Sequence, residues 1–432
     1  MIIVDSALKK REEEGTPIRV AIVGAGYQGR GVALQILTAM TGMRLVAVAN
    51  RTLEKAEEAY AQAGVDGVQH VHSVPALENA IARGHYAVTD DAMLVCEAEG
   101  IDAIIEATGT IEFGAKVAMA AIEHGKHLVL SNAELDATLG PILKVYADTA
   151  GVVMTDIDGD QPGTMMNLYR FVDAIGYKPV LVGNIKGLLD HYRTPETQQA
   201  WADKHGQAPY MVTSFADGTK ISVENAVAAN ATGFPVGRRG MYGPRCDHVM
   251  EAVDLFPEDE LLETGLNDYI IGAEPGPGVF VIAYNDHPVK RQYTSVLKMG
   301  DGPFYVFYTP YHLPHLEVPL TVARAVLFQD AAVTPAGGPV CEVPALAKRD
   351  LKAGETLDGI GGFHAYGWID NADVMRRDNL LPIGLSEGCV LTRDVPKDQA
   401  ISFDDVTVPD GRLCDRLYAE QKDHFEKAPI PA

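Results

Sequence analysis

Glycines 24, 26 and 29 stand in the spacing G-x-G-x-x-G. They follow the apolar run Ile18-Arg19-Val20-Ala21-Ile22-Val23 and precede a helical pattern from Gln28 to Met40. Strand, glycine turn and helix in that order can cradle a pyrophosphate. Gly24 permits the tight turn, Gly26 lets the backbone approach the phosphates, and Gly29 lets helix and strand pack closely. Tyr27 and Gln28 complete the loop, and the helix N-terminus adds free N–H groups and a partial positive charge. An ordinary glycine-punctuated turn is the alternative. The second strand, 44–50, leads into Asn50-Arg51-Thr52. Neutral Asn50 and cationic Arg51 stand where a carboxylate would select the ribose 2′-OH of NAD. The pattern favours NADP(H) over NAD(H), with Arg51 gripping the 2′-phosphate. The competing reading leaves Arg51 in solvent and makes Asn50 and Thr52 helix caps.

A second group of residues suits proton and anion chemistry. Lys186 follows an apolar strand and precedes Gly187, so it can protonate a carbonyl oxygen or hold an anion; a solvated strand-end lysine is the alternative. Asp160 and Glu134 fall at adjacent strand ends. They could hold substrate hydroxyls or a divalent Mg²⁺ or Mn²⁺ ion, although Asp160 is equally suited to cap the helix beginning near Gly163. Glu224 ends Lys220-Ile221-Ser222-Val223-Glu224, whose alternation reads as a strand. On the inner face it is a base or hydroxyl anchor; on the outer face it is ordinary surface. Arg238, Arg239, Arg245 and His248 form the densest cationic stretch, and Gly240, Gly243 and Pro244 make it a loop. Such a loop can clamp a phosphate or carboxylate, with Arg245 the leading candidate, or it can pair with Glu251 and Asp254. His312 could carry a proton or simply be hydrogen-bonded between domains. Pro314 interrupts its spacing to His315, which does not suit a zinc helix.

These residues need a frame. Residues 1–160 alternate strand and helix, which predicts a Rossmann-type doubly wound parallel sheet with ligands at the carboxyl ends of its strands. Those ends carry Thr108-Gly109-Thr110, Asn132 and Glu134, and Asp156 to Asp160, where nicotinamide and substrate should meet. Residues 161–333 read as a mixed α/β catalytic and oligomerisation domain. Extended stretches are expected at 180–182, 211–215, 220–223, 278–284 and 303–308, with a helix from Val318 to Leu327 able to pack back on the first domain. Residues 334–432 show short β-runs and many glycines. Ala347-Lys348-Arg349-Asp350-Leu351-Lys352 recurs in form as Thr392-Arg393-Asp394-Val395-Pro396-Lys397.

Composition narrows the classes. The 432 residues carry a formal charge of −23, from 59 acidic and 36 basic residues. That argues against nucleic acid or an anionic membrane as a general partner, and an anionic substrate would need a local cationic pocket. Five scattered cysteines without C-x-x-C fit a reduced, cytoplasmic setting and argue against zinc. The apolar start Met1 to Val4 is too short for a signal peptide, and no later run could span a bilayer.

The last segment resembles the SAF domain, a compact β-clip module. With Glu224, Ala228-Ala229-Asn230-Ala231-Thr232-Gly233, Gly243-Pro244-Arg245, Pro310-Tyr311-His312-Leu313 and Leu316 to Arg324, the whole chain resembles the SAF-containing, homoserine-dehydrogenase-like oxidoreductases that include the 1-deoxy-D-xylulose-5-phosphate reductoisomerase-like enzymes. The resemblance implies a homodimer or homotetramer and a small anionic polyhydroxylated substrate, phosphorylated or carboxylated. It implies roles for Lys186, Asp160, Glu224, Arg245 and His312, and a reductoisomerisation using a divalent metal. Three departures fall where substrate should bind. Ala133 stands where homoserine dehydrogenases have lysine, and Asp158-Gly159-Asp160-Gln161-Pro162 and Lys186 to Arg193 also differ. A simple sugar-acid or alcohol dehydrogenase, and a non-catalytic nucleotide- or carbohydrate-binding protein, stay open as alternatives.

Overall fold

The computed structural model describes residues 3–426, which form two compact units. The first contains the chain up to Gly159, Leu313–Thr334 and the residues from Arg412 onward; the second contains Asp160–His312 and Pro335–Gly411. The units are therefore interleaved in sequence rather than consecutive.

In the first unit seven strands form one sheet: β1 (Ile18–Val23), β2 (Met43–Ala49), β3 (Gln69–His70), β4 (Ala87–Thr89), β5 (Ala103–Glu106), β6 (His127–Leu130) and β7 (Met154–Asp156). Their order is β3-β4-β2-β1-β5-β6-β7, and every pairing is parallel. The central strands are nearly continuous apolar runs because helices cover both faces. The winding reverses at β1, which pairs with β2 on one side and β5 on the other. This reversal opens a crevice at the carboxyl end of β1, where the glycine turn lies.

Two late segments complete this unit. The helix Pro314–Phe328, expected as Val318 to Leu327, packs against the helix Tyr27–Ala39. It is tied down by the Asp158–Arg324 ion pair, 2.9 Å long and largely buried. The helix Leu413–Glu426 packs against the helices Ile111–Glu123 and Ala133–Ala150. Its Gln421 accepts from the Ile142 amide (3.1 Å) and donates to the Thr138 carbonyl (3.2 Å). Those two backbone groups flank Pro141, which has no N–H to continue the helical ladder. One buried carboxamide thus braces the turn that proline weakens.

The second unit is built on a four-stranded sheet of order β11-β10-β8-β9, comprising β8 (Lys178–Lys186), β9 (Leu266–Ile271), β10 (Gly278–Tyr284) and β11 (Phe304–Thr309). β8 pairs parallel with β9 and antiparallel with β10. The helices Gln161–Ala174 and Thr219–Thr232 contribute Met165, Val172 and Ala228 to the core on one face, and Val249, Ala252, Phe256 and Leu261 fill the other. Two of the expected strands are helices: 211–215 lies in Pro209–Asp217, and 220–223 lies in Thr219–Thr232. Every residue from Ile221 to Asn230 is buried. A helix enclosed on all sides needs no polar face, so its sequence carries no clear 3.6-residue period.

Residues 335–411 supply short antiparallel pairs: Cys341–Glu342 with Asp370–Asn371, Ala345–Ala347 with Ala365–Gly367, and Val390–Leu391 with Val406–Thr407. The two echoing phrases face one another through Leu351 and Val395. Asp350 accepts from the Lys397 amide and Asp394 from the Ala353 amide. Each aspartate serves the residue three positions after the other, so the repeat is a local pseudo-twofold.

All five cysteines are buried and free. Among the described residues no helix is long and apolar enough to cross a membrane. Asp136 is buried in the first unit, and neither carboxyl oxygen has a hydrogen-bond partner. Burial pushes its pKa up to about 7. Folding therefore favours the protonated form, a contribution present below the unfolded carboxylate pKa and lost as pH rises through about 7. Replacing Asp136 by Asn should raise the melting temperature at about pH 8 by a few degrees, and by clearly less at about pH 5, in paired calorimetric scans.

Candidate functional site

The glycine loop has the geometry its spacing implies. Gly24 has φ +105°, and a β-carbon there would lie 2.5 Å from the Ala107 carbonyl oxygen. At Gly29 a β-carbon would lie 1.9 Å from the Gly24 oxygen, so only glycine lets helix and turn close. At Gly26 a β-carbon would meet nothing within 4 Å. The backbone is open to a ligand there, and no side chain caps the helix that starts at Tyr27. Its first amides remain free for phosphate oxygens. Tyr27 is half exposed and meets His315 edge-on at 5.1 Å; Gln28 follows it in the same helix, half-buried.

Asn50 ties the loop to the end of β2. Its Oδ1 accepts from the Ala25 amide (3.0 Å), and its Nδ2 donates to the Thr52 carbonyl (2.8 Å). Arg51 beside it is exposed. At the ends of β5 and β6 the organising group is Glu106, which sequence reasoning missed. Buried Glu106 accepts from the Thr108 amide (2.9 Å), the Thr108 hydroxyl and Asn132 Nδ2 (2.8 Å). Burial raises its pKa against those hydrogen bonds. Thr110 joins through its hydroxyl to Thr108 and its carbonyl to Asn132, and Gly109 (φ +67°) forms the turn between them. Asn132 also caps the helix Ala133–Ala150, whose first turn carries buried Glu134.

In the second unit the sheet and two helices bring Asp160, Lys186, Glu224 and His312 together, along with three residues the sequence did not single out. Lys186 ends β8. Its Nζ donates to Glu224 Oε2 at 3.2 Å, and Asn184 Nδ2 donates to the same oxygen at 3.2 Å. Glu224 projects from the helix Thr219–Thr232, not from a strand, and is 1% exposed. One turn earlier Lys220 reaches Asp160 at 3.4 Å. With its amide nitrogen turned toward them, Gln161 donates to both Asp160 Oδ1 (2.6 Å) and Glu224 Oε1 (3.1 Å). Asp160 occupies the N-cap position of the helix Gln161–Ala174, yet its side chain does not cap; it serves the cluster. Two sequence signals pointed here. Lys220 and Glu224 are four apart, a spacing that pairs side chains on one helical face, and Gly218 and Gly233, both at positive φ, bound that helix.

Electrostatics separates the two carboxyls. Burial raises both, but at Asp160 the charges of Lys220 and His312 and the Gln161 amide reverse the effect, and its pKa falls below the ordinary value. At Glu224 burial wins over Lys186, and Asp160 nearby adds to the rise. Asp160 is thus the ionised partner and Glu224 the one nearer its proton. His312 is pushed down, chiefly by burial, so its imidazole is neutral near pH 7, and its buried Nδ1 has no protein partner.

Arg245 is placed differently. It bridges to Ile271, which pairs with Lys186 across β8 and β9. It therefore stands two strand spacings, about 10 Å, from the Lys186 backbone. Arg239 is committed to Asp370 (2.6 Å), Arg238 to the Met241 and Tyr242 carbonyls, and His248 to the Met250 amide. Arg245 is exposed, with its guanidinium open to an outside anion.

The donor set does not fit a resident divalent cation. Asp160 and Glu224 are balanced by two ammoniums and share one carboxamide, whereas Mg²⁺ or Mn²⁺ calls for an oxygen-rich, net negative cage. Among the described residues no group of three or more His, Cys, Asp or Glu side chains is arranged to hold a metal.

Residues 18–131 match the family model described as oxidoreductase family (Gfo/Idh/MocA), NAD-binding Rossmann fold. Residues 159–318 match the model described as oxidoreductase DRL, catalytic domain. No protein of curated function matches the chain significantly. Similar solved structures include apo scyllo-inositol dehydrogenase from Lactobacillus casei, at 14% identity and TM-score 0.40, covering 67% of this chain and 75% of that one. Another is 1-deoxy-D-xylulose 5-phosphate reductoisomerase from Zymomonas mobilis in complex with NADPH, at 17% identity and TM-score 0.36, covering 51% and 59%. The chain is an NAD(P)-dependent oxidoreductase.

The glycine geometry separates binding from folding. Gly26→Ala should melt like the parent protein yet weaken coenzyme binding about tenfold or more, or about 1.4 kcal/mol, in a fluorescence titration. Gly29→Ala should lower the melting temperature as well.

Proposed function

We propose that the protein uses NADPH in preference to NADH to reduce a carbonyl carbon in a small, polyhydroxylated, anionic substrate. The observation that carries this reading is the buried cluster at the end of β8. Two ammoniums, two carboxyls of opposite pKa shift, a neutral imidazole and two carboxamides converge there. Hydride comes from the reduced coenzyme. The Lys186 ammonium stabilises the oxyanion as it develops, and Glu224, nearer its proton than Asp160, supplies the proton. Asp160, Gln161 and Asn184 hold hydroxyls, and His312 Nδ1 accepts or donates according to its tautomer. Arg245 takes the phosphate or carboxylate end. Arg51, exposed beside the anchored Asn50, takes the 2′-phosphate.

A rearrangement before hydride transfer is supported by the same split pair. Moving a carbon–carbon bond in a hydroxyketone requires one group to take a hydroxyl proton and another to protonate the carbonyl oxygen. Asp160 and Glu224 suit those two tasks. This is the reductoisomerase-like reaction expected from the resemblance, and product connectivity, read by carbon NMR, separates it from simple reduction. Also proposed are the SAF-like character of residues 334–432, assembly as a homodimer or homotetramer, and a cytoplasmic location.

A panel of ketose phosphates and sugar acids assayed at 340 nm tests the reading; no oxidation of NADPH across it would refute it. Arg51→Asp should cost NADPH about ten- to a hundredfold in affinity while leaving NADH unchanged. Lys186→Met should lower kcat by about 10²–10³ with coenzyme affinity intact.

A further inference from the structure

Lys186, the pair Lys220 and Glu224, and Arg245 adjoin or lie in three separate segments: 187–193, 218–224 and 236–245. All three meet at one side chain from the late segment 335–411. Trp368 lies between the short strands Ala365–Gly367 and Asp370–Asn371, in the same compact unit as the cluster.

The first segment is held through His191. Its ring meets Trp368 edge-on at 4.3 Å and stacks on Tyr366 at 4.4 Å with 19° between planes. Beside it Tyr192 donates to Asp398 (2.9 Å) and carries Lys397 over its ring, and the Arg193 carbonyl accepts from Lys348 (2.8 Å). The second segment approaches through Gly218. A β-carbon there would lie 2.8 Å from Trp368 Cζ3 and 3.1 Å from His191 Cε1. The next residue, Thr219, accepts from the Gly367 amide at 2.8 Å. The third segment approaches through Gly240, where a β-carbon would fall 1.7 Å from Trp368 Nε1. The Gly240 amide donates to the Ile369 carbonyl at 2.7 Å. Gly218 and Gly240 have φ +97° and +78°. Their backbone conformation and the missing side chain are both needed for the ring to sit between them.

Two glycine backbones and an imidazole meet this ring, and each lies within five residues of Lys186, Lys220 or Arg245 in the chain. We infer that Trp368 is a positioning residue: its indole is the gauge block that sets Lys186, Lys220 with Glu224, and the Arg245 loop relative to one another. The inference rests on the functional reading given above. Displacements of about 1 Å in such groups can cost about 10²-fold in rate, so a rigid spacer common to all three is a strong lever on turnover.

The test compares full-length Trp368→Ala and Trp368→Phe with the parent protein. Hydrogen exchange read by mass spectrometry should quicken in peptides covering 187–193, 218–224 and 236–245 in the alanine variant. Peptides within 18–131, and NADPH affinity, should not change. With a substrate from the reduction panel, kcat should fall by about 10²-fold while KM for NADPH holds, and Trp368→Phe should restore most of the loss. Unchanged exchange in the three segments overturns the inference. So does faster exchange across the whole chain with a lowered melting temperature, since that marks a general loss of packing. If the alanine variant does not fold, the phenylalanine variant decides alone: normal exchange with normal kcat supports a ring spacer, and loss of both despite a retained aromatic ring refutes it. A parent protein that reduces nothing in the panel refutes the functional reading, and the exchange data still decide whether Trp368 organises the three segments.

Discussion

Four opposite charges in one buried place must balance. Asp160, Glu224, Lys186 and Lys220 come from the start of one helix, the middle of another and the end of β8. Gln161 joins the two carboxyls and leaves neither facing the other unscreened. Removing one partner from such a group strands a charge away from water, at a cost of several kcal/mol. The positions of both helices on the sheet are therefore tied to the balance. The balance also divides the carboxyls into an ionised and a more protonated member, which is the property proton-transfer chemistry requires.

The first unit follows a different rule. Its glycine loop works through absent atoms. A β-carbon at 24 or 29 would strike backbone, while at 26 it would meet open space. The loop's far side is fixed by Asn50 and its neighbouring loops by Glu106, so an open approach is framed by fully satisfied hydrogen bonds. A ligand entering there meets backbone N–H groups already oriented, and little order has to be imposed on binding.

Much of this was legible in the residues. The glycine spacing, the alternation up to residue 160 and the returning helix after Pro314 follow from periodicity and turn chemistry, which act locally. Glu224 was legible as a candidate carboxyl but not as a helical one. The helix that carries it is buried on every side, and alternation in Lys220-Ile221-Ser222-Val223-Glu224 imitates a strand. Lys220 was lost with it, because its pairing depends on the helical spacing. Gln161 and Glu106 were illegible for another reason. Each gains its role from partners 26 or more residues away (Glu224 and Asn132), and no local pattern announces a long-range hydrogen bond. Trp368 is the extreme case. Its meaning lies in two distant glycines, each of which reads in sequence as an ordinary turn.

The brace of Gln421 on the proline turn of Ala133–Ala150 has an outcome in time as well as space. The sheet that binds the coenzyme is encoded up to Asp156, but two helices that complete its unit, Pro314–Phe328 and Leu413–Glu426, are encoded after Asp160–His312. On the ribosome the nascent sheet must wait, partly uncovered, while the whole second unit emerges. Translation thus orders assembly: the coenzyme-binding unit closes only after Leu413–Glu426 has been made.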